Sequence, residues 1–214
     1  MSDSNQVQQQ QFWDKEAGKY DLAVKILNSH FLKEIPRLIP SEKLKDKKVL
    51  EVACGTGLIT QHLATSAELV ATDISEAMLS ICQQRIAFYE NKSEIKFLKA
   101  GVYNIPFPDR SFDLVVCGNL LHLLDEPARG LFELKRVLKL SGELIVPTFC
   151  HGETPMARAI SHVLSWFGFP VITRFKSGTL ELLIEACGFE IKEQRILPGP
   201  IPVYWLSVAQ SLKD

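Results

Sequence analysis

The chain has 214 residues, 46% hydrophobic and 23% charged, with a formal net charge of −1. This composition fits one α/β domain able to bury its own core without a disulfide framework, and the charge balance offers no footprint for nucleic acid. Cys54, Cys82, Cys117, Cys150 and Cys187 stand far apart with no C-x-x-C pair, and neither a leader nor a run of ~18 apolar residues is present, so the expectation is a reducing, cytoplasmic setting with no zinc site and no membrane span.

Residues 1–11 are a polar, glutamine-biased lead expected to be disordered, ahead of a single domain over 12–214. From Phe12 onward, Ala17, Tyr20, Val24, Leu27 and Phe31 recur at helical spacing, which predicts an amphipathic helix within a cover segment, 12–40, closed by Pro36 and Pro40. Residues 48–60, KVLEVACGTGLIT, then organise the rest. Val49, Leu50 and Val52 read as a buried parallel strand, Gly55 and Gly57 as a tight turn, and Thr60 as the first turn of a helix. A turn without Cβ atoms lets a ligand approach closely, and the helix directs unpaired N–H groups towards it. The next apolar run, 68–73, ends in Asp73, about twenty residues beyond Glu51, where neighbouring-strand folds place a carboxylate on ribose hydroxyls. These features together predict an adenosine ligand. A dinucleotide is disfavoured, because Thr60 takes the place of the third glycine and a Glu51 carboxylate would repel a pyrophosphate while suiting a cationic ligand.

Further along, Ser75 can cap a helix with Met78, Leu79, Cys82, Ile86 and Tyr89 on its inner stripe. Residues 94–100 alternate as a third strand, and 112–119 form a continuous apolar fourth strand ending in Gly118 and Asn119. Asn119 and His122 should face a cleft at the strand ends, where His122 could accept a proton near neutral pH. Asp125 and Pro127 start a helix lined by Leu131, Leu134 and Leu138 and ended by Ser141 and Gly142, before a fifth strand over 143–149. An insertion of about 150–176 follows, holding His151, a second candidate base, and a helix opened by Thr154 and Pro155. Met156, Ala159, Ile160, Val163, Leu164 and Phe167 are its expected inner face. This helix either closes an edge of the core or forms a lid over an acceptor pocket. Ser177 caps a last helix with Leu180, Leu183, Ile184 and Cys187 on one face, and strands 189–196 and 203–210 make an antiparallel pair across a proline-rich turn.

The order acid-x-small-x-Gly-x-Gly at Glu51, Ala53, Gly55 and Gly57, followed by Asp73 and by the Ile-Pro-Phe-Pro-Asp run at 105–109, resembles the class I S-adenosylmethionine-dependent methyltransferases. The resemblance implies an α/β, Rossmann-like sheet of seven mostly parallel strands in the order 3-2-1-4-5-7-6, the last antiparallel, with helices on both faces. It implies S-adenosylmethionine as cofactor, with Tyr20 at its methionine end, Asp73 on the ribose, and Ile74, with Met78 beside it, packed on the adenine. Where many members carry an aspartate for the adenine amino group this chain has Gly101, so the backbone of Gly101, Val102 and Tyr103 is expected to hold the base. Ala53 stands where the family usually has another glycine. In the family, acceptor specificity often resides in the N-terminal cover and in the inserted region.

Methyl transfer from a sulfonium needs an acceptor lone pair held within ~3–3.5 Å of the methyl and shielded from water. A base is required only for a hydroxyl, an acidic carbon or a protonated amine, which makes His122 and His151 the candidate catalytic residues. The expected acceptor is a small, partly apolar molecule, because the insertion lacks the basic and aromatic interleaving of an RNA site. No metal site is expected. The alternatives are a cofactor-binding regulatory or interaction protein without catalysis, a protein or RNA acceptor, and, disfavoured by Glu51 and Thr60, a nicotinamide dehydrogenase.

Overall fold

The computed structural model describes residues 3–89, 95–166 and 168–211, apart from the side chains of 3–6, 19, 23 and 25–28. Its centre is a mixed sheet built from β1 (Lys48–Val52), β2 (Glu68–Asp73), β3 (Ile95–Lys99), β4 (Phe112–Cys117), β5 (Leu138–Ile145), β6 (Thr148–Phe149), β7 (Phe189–Leu197) and β8 (Val203–Gln210). β1 pairs in parallel with β2 and β4, β2 with β3, and β4 with β5, while β8 runs antiparallel to β5, β6 and β7. With β5 and β6 counted as one interrupted strand, this is the expected 3-2-1-4-5-7-6 order, closed by the antiparallel pair. Pro147 makes the interruption, since it has no N–H to donate to a ladder.

Strand pleat divides the core. Leu50, Val52, Val70, Val115, Cys117, Leu144, Leu206 and Val208 face one side, where they pack on Leu131 and Leu134 of α5 (Pro127–Val137) and on Leu180 and Ile184 of α7 (Ser177–Ala186). Val49, Leu69, Leu114, Val116, Ile145 and Trp205 face the other, under Phe31 and Ile35 of α1 (Asp3–Leu38), Leu63 of α3 (Thr60–Leu63) and Ala157 of α6 (Pro155–Trp166). Leu44 of the short α2 (Ser41–Leu44) joins that second layer, and α4 (Glu76–Ala87) adds Leu79, Cys82 and Ile86 beside Ala71. Among the described residues no helix is long and apolar enough to cross a membrane.

Several boundaries differ from the sequence reading. Helix α1 begins at Asp3 and runs through the glutamine-rich lead, which is therefore helical rather than disordered over 3–11. It also passes Pro36 and ends at Leu38. Helix α5 stops at Val137, so Leu138 opens β5 and Gly142 lies inside that strand. Tyr89 falls beyond the end of α4 and is half exposed. On α6 the buried positions are Ala157 and Ser161, with Ile160 and Leu164 partly covered, whereas Met156 and Val163 are exposed. The α7 N-cap is Lys176 and Ser177 is the first residue of the helix, with its backbone N–H donated to Glu153 at 2.7 Å and its Oγ to the same carboxylate at 3.2 Å. The side chains of Leu27 and Phe167, and residue 94 at the head of β3, lie outside the described residues.

Candidate active site

The turn after β1 has the geometry its glycines suggested. Ala53, Gly55 and Gly57 all adopt positive φ, at 57°, 55° and 86°. Only glycine enters that region without strain, so Ala53 holds a backbone shape that suits the glycine absent from this position. An added Cβ on Gly57 would lie 2.8 Å from Cys82 Sγ, which shows that this glycine serves the packing of the turn on α4.

Asp73, at the end of β2, locks the turn from the side. One carboxylate oxygen accepts from Gly55 N–H at 2.8 Å and the other from Ser75 N–H at 2.9 Å. Ser75 Oγ in turn accepts from Met78 N–H at 3.1 Å, the predicted helix cap. Burial raises the Asp73 pKa against the lowering effect of these N–H groups. Each oxygen keeps accepting capacity for a ligand hydroxyl.

A cleft of about 790 Å³ opens over this turn at the carboxyl ends of the strands. Tyr20, Ala53, Gly55, Asp73, Ile74, Met78, Asn119 and His122 line it, which brings together eight of the residues singled out in the sequence. A second lobe of about 380 Å³ shares Ala53, Ile74 and Leu120 with the first and continues along Gly101, Val102 and Tyr103. Two lobes divided by Ala53 and Ile74 match an elongated ligand with a flat base at one end. Burial first, then Asp73 and Asp21, hold the Tyr20 phenol in its neutral form.

Three sequence candidates lie elsewhere. Glu51 is 1% exposed, sits beneath the turn, and does not line the cleft. Burial pushes its pKa well above the ordinary carboxylate range, opposed by a hydrogen bond with Thr60, and its Oε2 has no partner. The two residues that argued against a dinucleotide therefore pair with each other, and the electrostatic preference of the cleft falls to Asp73. Gly57 faces Cys82 and not the cleft. His151 stands behind His122, with ring centroids 5.0 Å apart.

The roof supplies residues that the sequence reading missed. Gln9 and Trp13 on α1 line the cleft with Tyr20 and Val24, a helix-face spacing that could have been read through the lead. Gln9 donates to Leu123 O at 2.7 Å on the far rim. At the other end Asp21 pairs with Arg85 and accepts from Thr56 Oγ1 at 2.5 Å, while Arg85 Nε donates to Thr56 O at 2.7 Å. Helix α1 is thus a strap tied on both sides of the cleft. Phe169, following α6, meets Trp13 edge-on at 5.6 Å and Phe12 at 6.1 Å, so the insertion and the strap close the same roof.

Among the described residues no group of three or more His, Cys, Asp and Glu side chains could hold a metal ion. The arrangement can hold an adenosine-like ligand along Asp73, Ile74 and the Gly101 lobe. It leaves the aromatic lobe around Phe149, Phe169 and His122 for a second molecule.

A family model described as a methyltransferase domain matches residues 50–146. A demethylmenaquinone methyltransferase of Clavibacter sepedonicus is 37% identical over 113 residues, covering 52% of this chain and 45% of that protein. The ubiquinone/menaquinone biosynthesis C-methyltransferase UbiE of Hahella chejuensis is 28% identical over 166 residues, with coverage of 75% and 67%. A malonyl-[acyl-carrier protein] O-methyltransferase of Paenibacillus is 31% identical over 149 residues, with coverage of 66% and 54%. The chain thus spans about half the length of the first of these relatives. In fold, magnesium protoporphyrin IX methyltransferase from Synechocystis, solved with bound SAH, superposes with a TM-score of 0.70 at 19% identity, covering 87% of this chain and 86% of that one.

Proposed function

We propose that the chain is a class I S-adenosylmethionine-dependent methyltransferase that binds this cofactor across the two lobes and methylates a small, partly apolar acceptor in the aromatic lobe. The observation that carries the reading is the junction at Gly55 and Asp73: a turn held at positive φ by a carboxylate whose remaining lone pairs border the cleft. Asp73 would accept from the ribose hydroxyls, Ile74 and Met78 would pack on the adenine, and the backbone of Gly101, Val102 and Tyr103 would meet its ring nitrogens. Tyr20 and Asn119 would border the methionine end. Bound S-adenosylmethionine supplies an electrophilic methyl on a sulfonium. The protein's part is to align the acceptor and exclude water, which the strap α1 and the α6 insertion do as a common roof. The relatives named for menaquinone and ubiquinone biosynthesis support an acceptor with an apolar body. The buried, unbridged cysteines support a reducing, cytoplasmic setting.

The test is calorimetry with S-adenosylhomocysteine. Wild type should bind, and Asp73→Asn, which keeps size but removes the charge, should bind roughly 10- to 100-fold more weakly, as expected for losing one charged hydrogen bond worth ~1.5–3 kcal/mol. Unchanged affinity in that variant would take Asp73 out of the site, and absent binding in wild type would end the reading.

A further inference from the structure

The acceptor end of the cleft contains an arrangement that alignment alone does not use. His122 and His151 are each 1% exposed, their rings lie 5.0 Å apart at 40°, and Phe149 stands edge-on to His122 at 5.5 Å. Nδ1 of His122 and both ring nitrogens of His151 are sealed from solvent with no hydrogen-bond partner. A buried polar atom without a partner destabilises the fold, so three of them in one pair call for a ligand or a purpose. Only His122 borders the cleft. Its carbonyl accepts from Ile172 N–H and Thr173 N–H, both at 3.0 Å, which fixes its backbone to the segment after α6.

The other groups around the pair limit what it can meet. Arg174, whose charge acts on His151, spends its Nε and Nη2 on Ser161 Oγ at 2.9 Å and Ser165 Oγ at 3.0 Å. The acid bordering the cleft, Asp73, is held by Gly55 and Ser75 at the other lobe. Burial and the neighbouring ring keep His122 neutral, and burial with Arg174 does the same for His151. A neutral imidazole in an aromatic pocket complements a neutral hydroxyl. A free carboxylate would lose its water there without gaining a cation free to pair with it.

We propose that His122 takes the proton of a hydroxyl carried by a flat, largely apolar acceptor, and that the His151 ring packed behind it holds the His122 ring in place for that transfer. This rests on the methyltransferase reading above. The hydroxyl oxygen bonds to the methyl carbon, the carbon–sulfur bond breaks with its pair going to sulfur, and the O–H proton ends on His122. The positive charge lost from the sulfonium therefore reappears on the imidazole, and the closed cleft never gains or loses a net charge. His122 is a catalytic residue in this scheme and His151 a positioning residue.

The experiment uses the full chain saturated with S-adenosylhomocysteine and titrates naphthol, methoxynaphthalene and naphthoate by calorimetry. Naphthol should bind about 10-fold or more tightly than its methyl ether, the size of one hydrogen bond, and this preference should vanish in His122→Phe. Histidine NMR on wild type gives a readout that needs no variant to fold: naphthol should move the His122 ring signals and the ether should not. In turnover with S-adenosylmethionine and naphthol, His122→Gly should lose about 100-fold or more and recover with added imidazole, while His151→Leu should lower kcat with KM unchanged. Equal binding of naphthol and ether, a preference that survives His122→Phe, or tightest binding of naphthoate would each overturn the proposal. Failure of wild type to bind S-adenosylhomocysteine would instead strike the methyltransferase reading.

Discussion

Replacing His151 with phenylalanine should make the protein less sensitive to acid, by an amount that follows from the burial of the ring. In the fold His151 titrates at about 4, against 6.5 for an ordinary histidine, because burial and the Arg174 charge both disfavour its protonated form. The unfolded chain therefore takes up the proton first as pH falls. The stability tied to a neutral His151 is complete above about pH 6.5, declines steadily towards about pH 4, and is constant below that. A gap of about 2.5 between the two values, at ~1.36 kcal/mol for each, gives roughly 3 kcal/mol. Urea unfolding of wild type and His151→Phe across this range would measure it. Burial raises the pKa values of Asp73 and Glu51, so those groups shift stability the opposite way on acidification, but they are common to both proteins and cancel in the difference. The variant should gain on wild type by about 3 kcal/mol between neutral pH and about pH 4. Parallel curves would mean that His151 is not held neutral, and the buried neutral ring proposed above to position His122 would lose its physical basis.

Three further substitutions probe the turn and its strap. Ala53→Gly should raise stability by about 0.5–1 kcal/mol in thermal unfolding, because relief of ~1–2 kcal/mol of positive-φ strain exceeds the ~0.4–1 kcal/mol of unfolded-state entropy that glycine adds. Gly57→Ala should cost about 2 kcal/mol or more, since the new methyl meets Cys82 Sγ at 2.8 Å at a φ of 86°, and adding Cys82→Ala should recover part of the loss in urea unfolding. Arg85→Ala removes the partner of Asp21 and a donor to Thr56 O, so hydrogen exchange should quicken in α1 around Asp21 while the central strands keep their protection.

What could be read from the sequence was whatever is settled within a few residues of chain. The apolar run of β1 and the break at Gly55 and Gly57 show themselves locally, as does Ser75 at the head of α4, and all appear in the structure where expected. The inner face of α6 was not settled that way. Both Met156 with Val163 and Ile160 with Leu164 satisfy helical spacing, and the choice between them is made by β8 and α1, which come from opposite ends of the chain. Gln9 lies in a lead whose composition is that of a disordered segment, yet it is drawn into the helix whose lower half packs on the sheet and it reaches Leu123. Glu51 is placed by the pleat of its own strand. A strand alternates its side chains, so Glu51 shares the face of Val49, whose neighbours are helices, and the chain reverses only at Ala53. The Glu51 carboxyl is thus buried beneath the turn beside Thr60, whereas Asp73, on the same face of the adjacent strand but two positions beyond the partner of Glu51, reaches the level of the turn and is the acid that a ligand meets. The cationic end of a cofactor would then be recognised by position and by backbone, not by a carboxylate at the first strand, and Glu51→Gln should leave S-adenosylhomocysteine affinity within a few-fold of wild type in the same calorimetry that weakens Asp73→Asn.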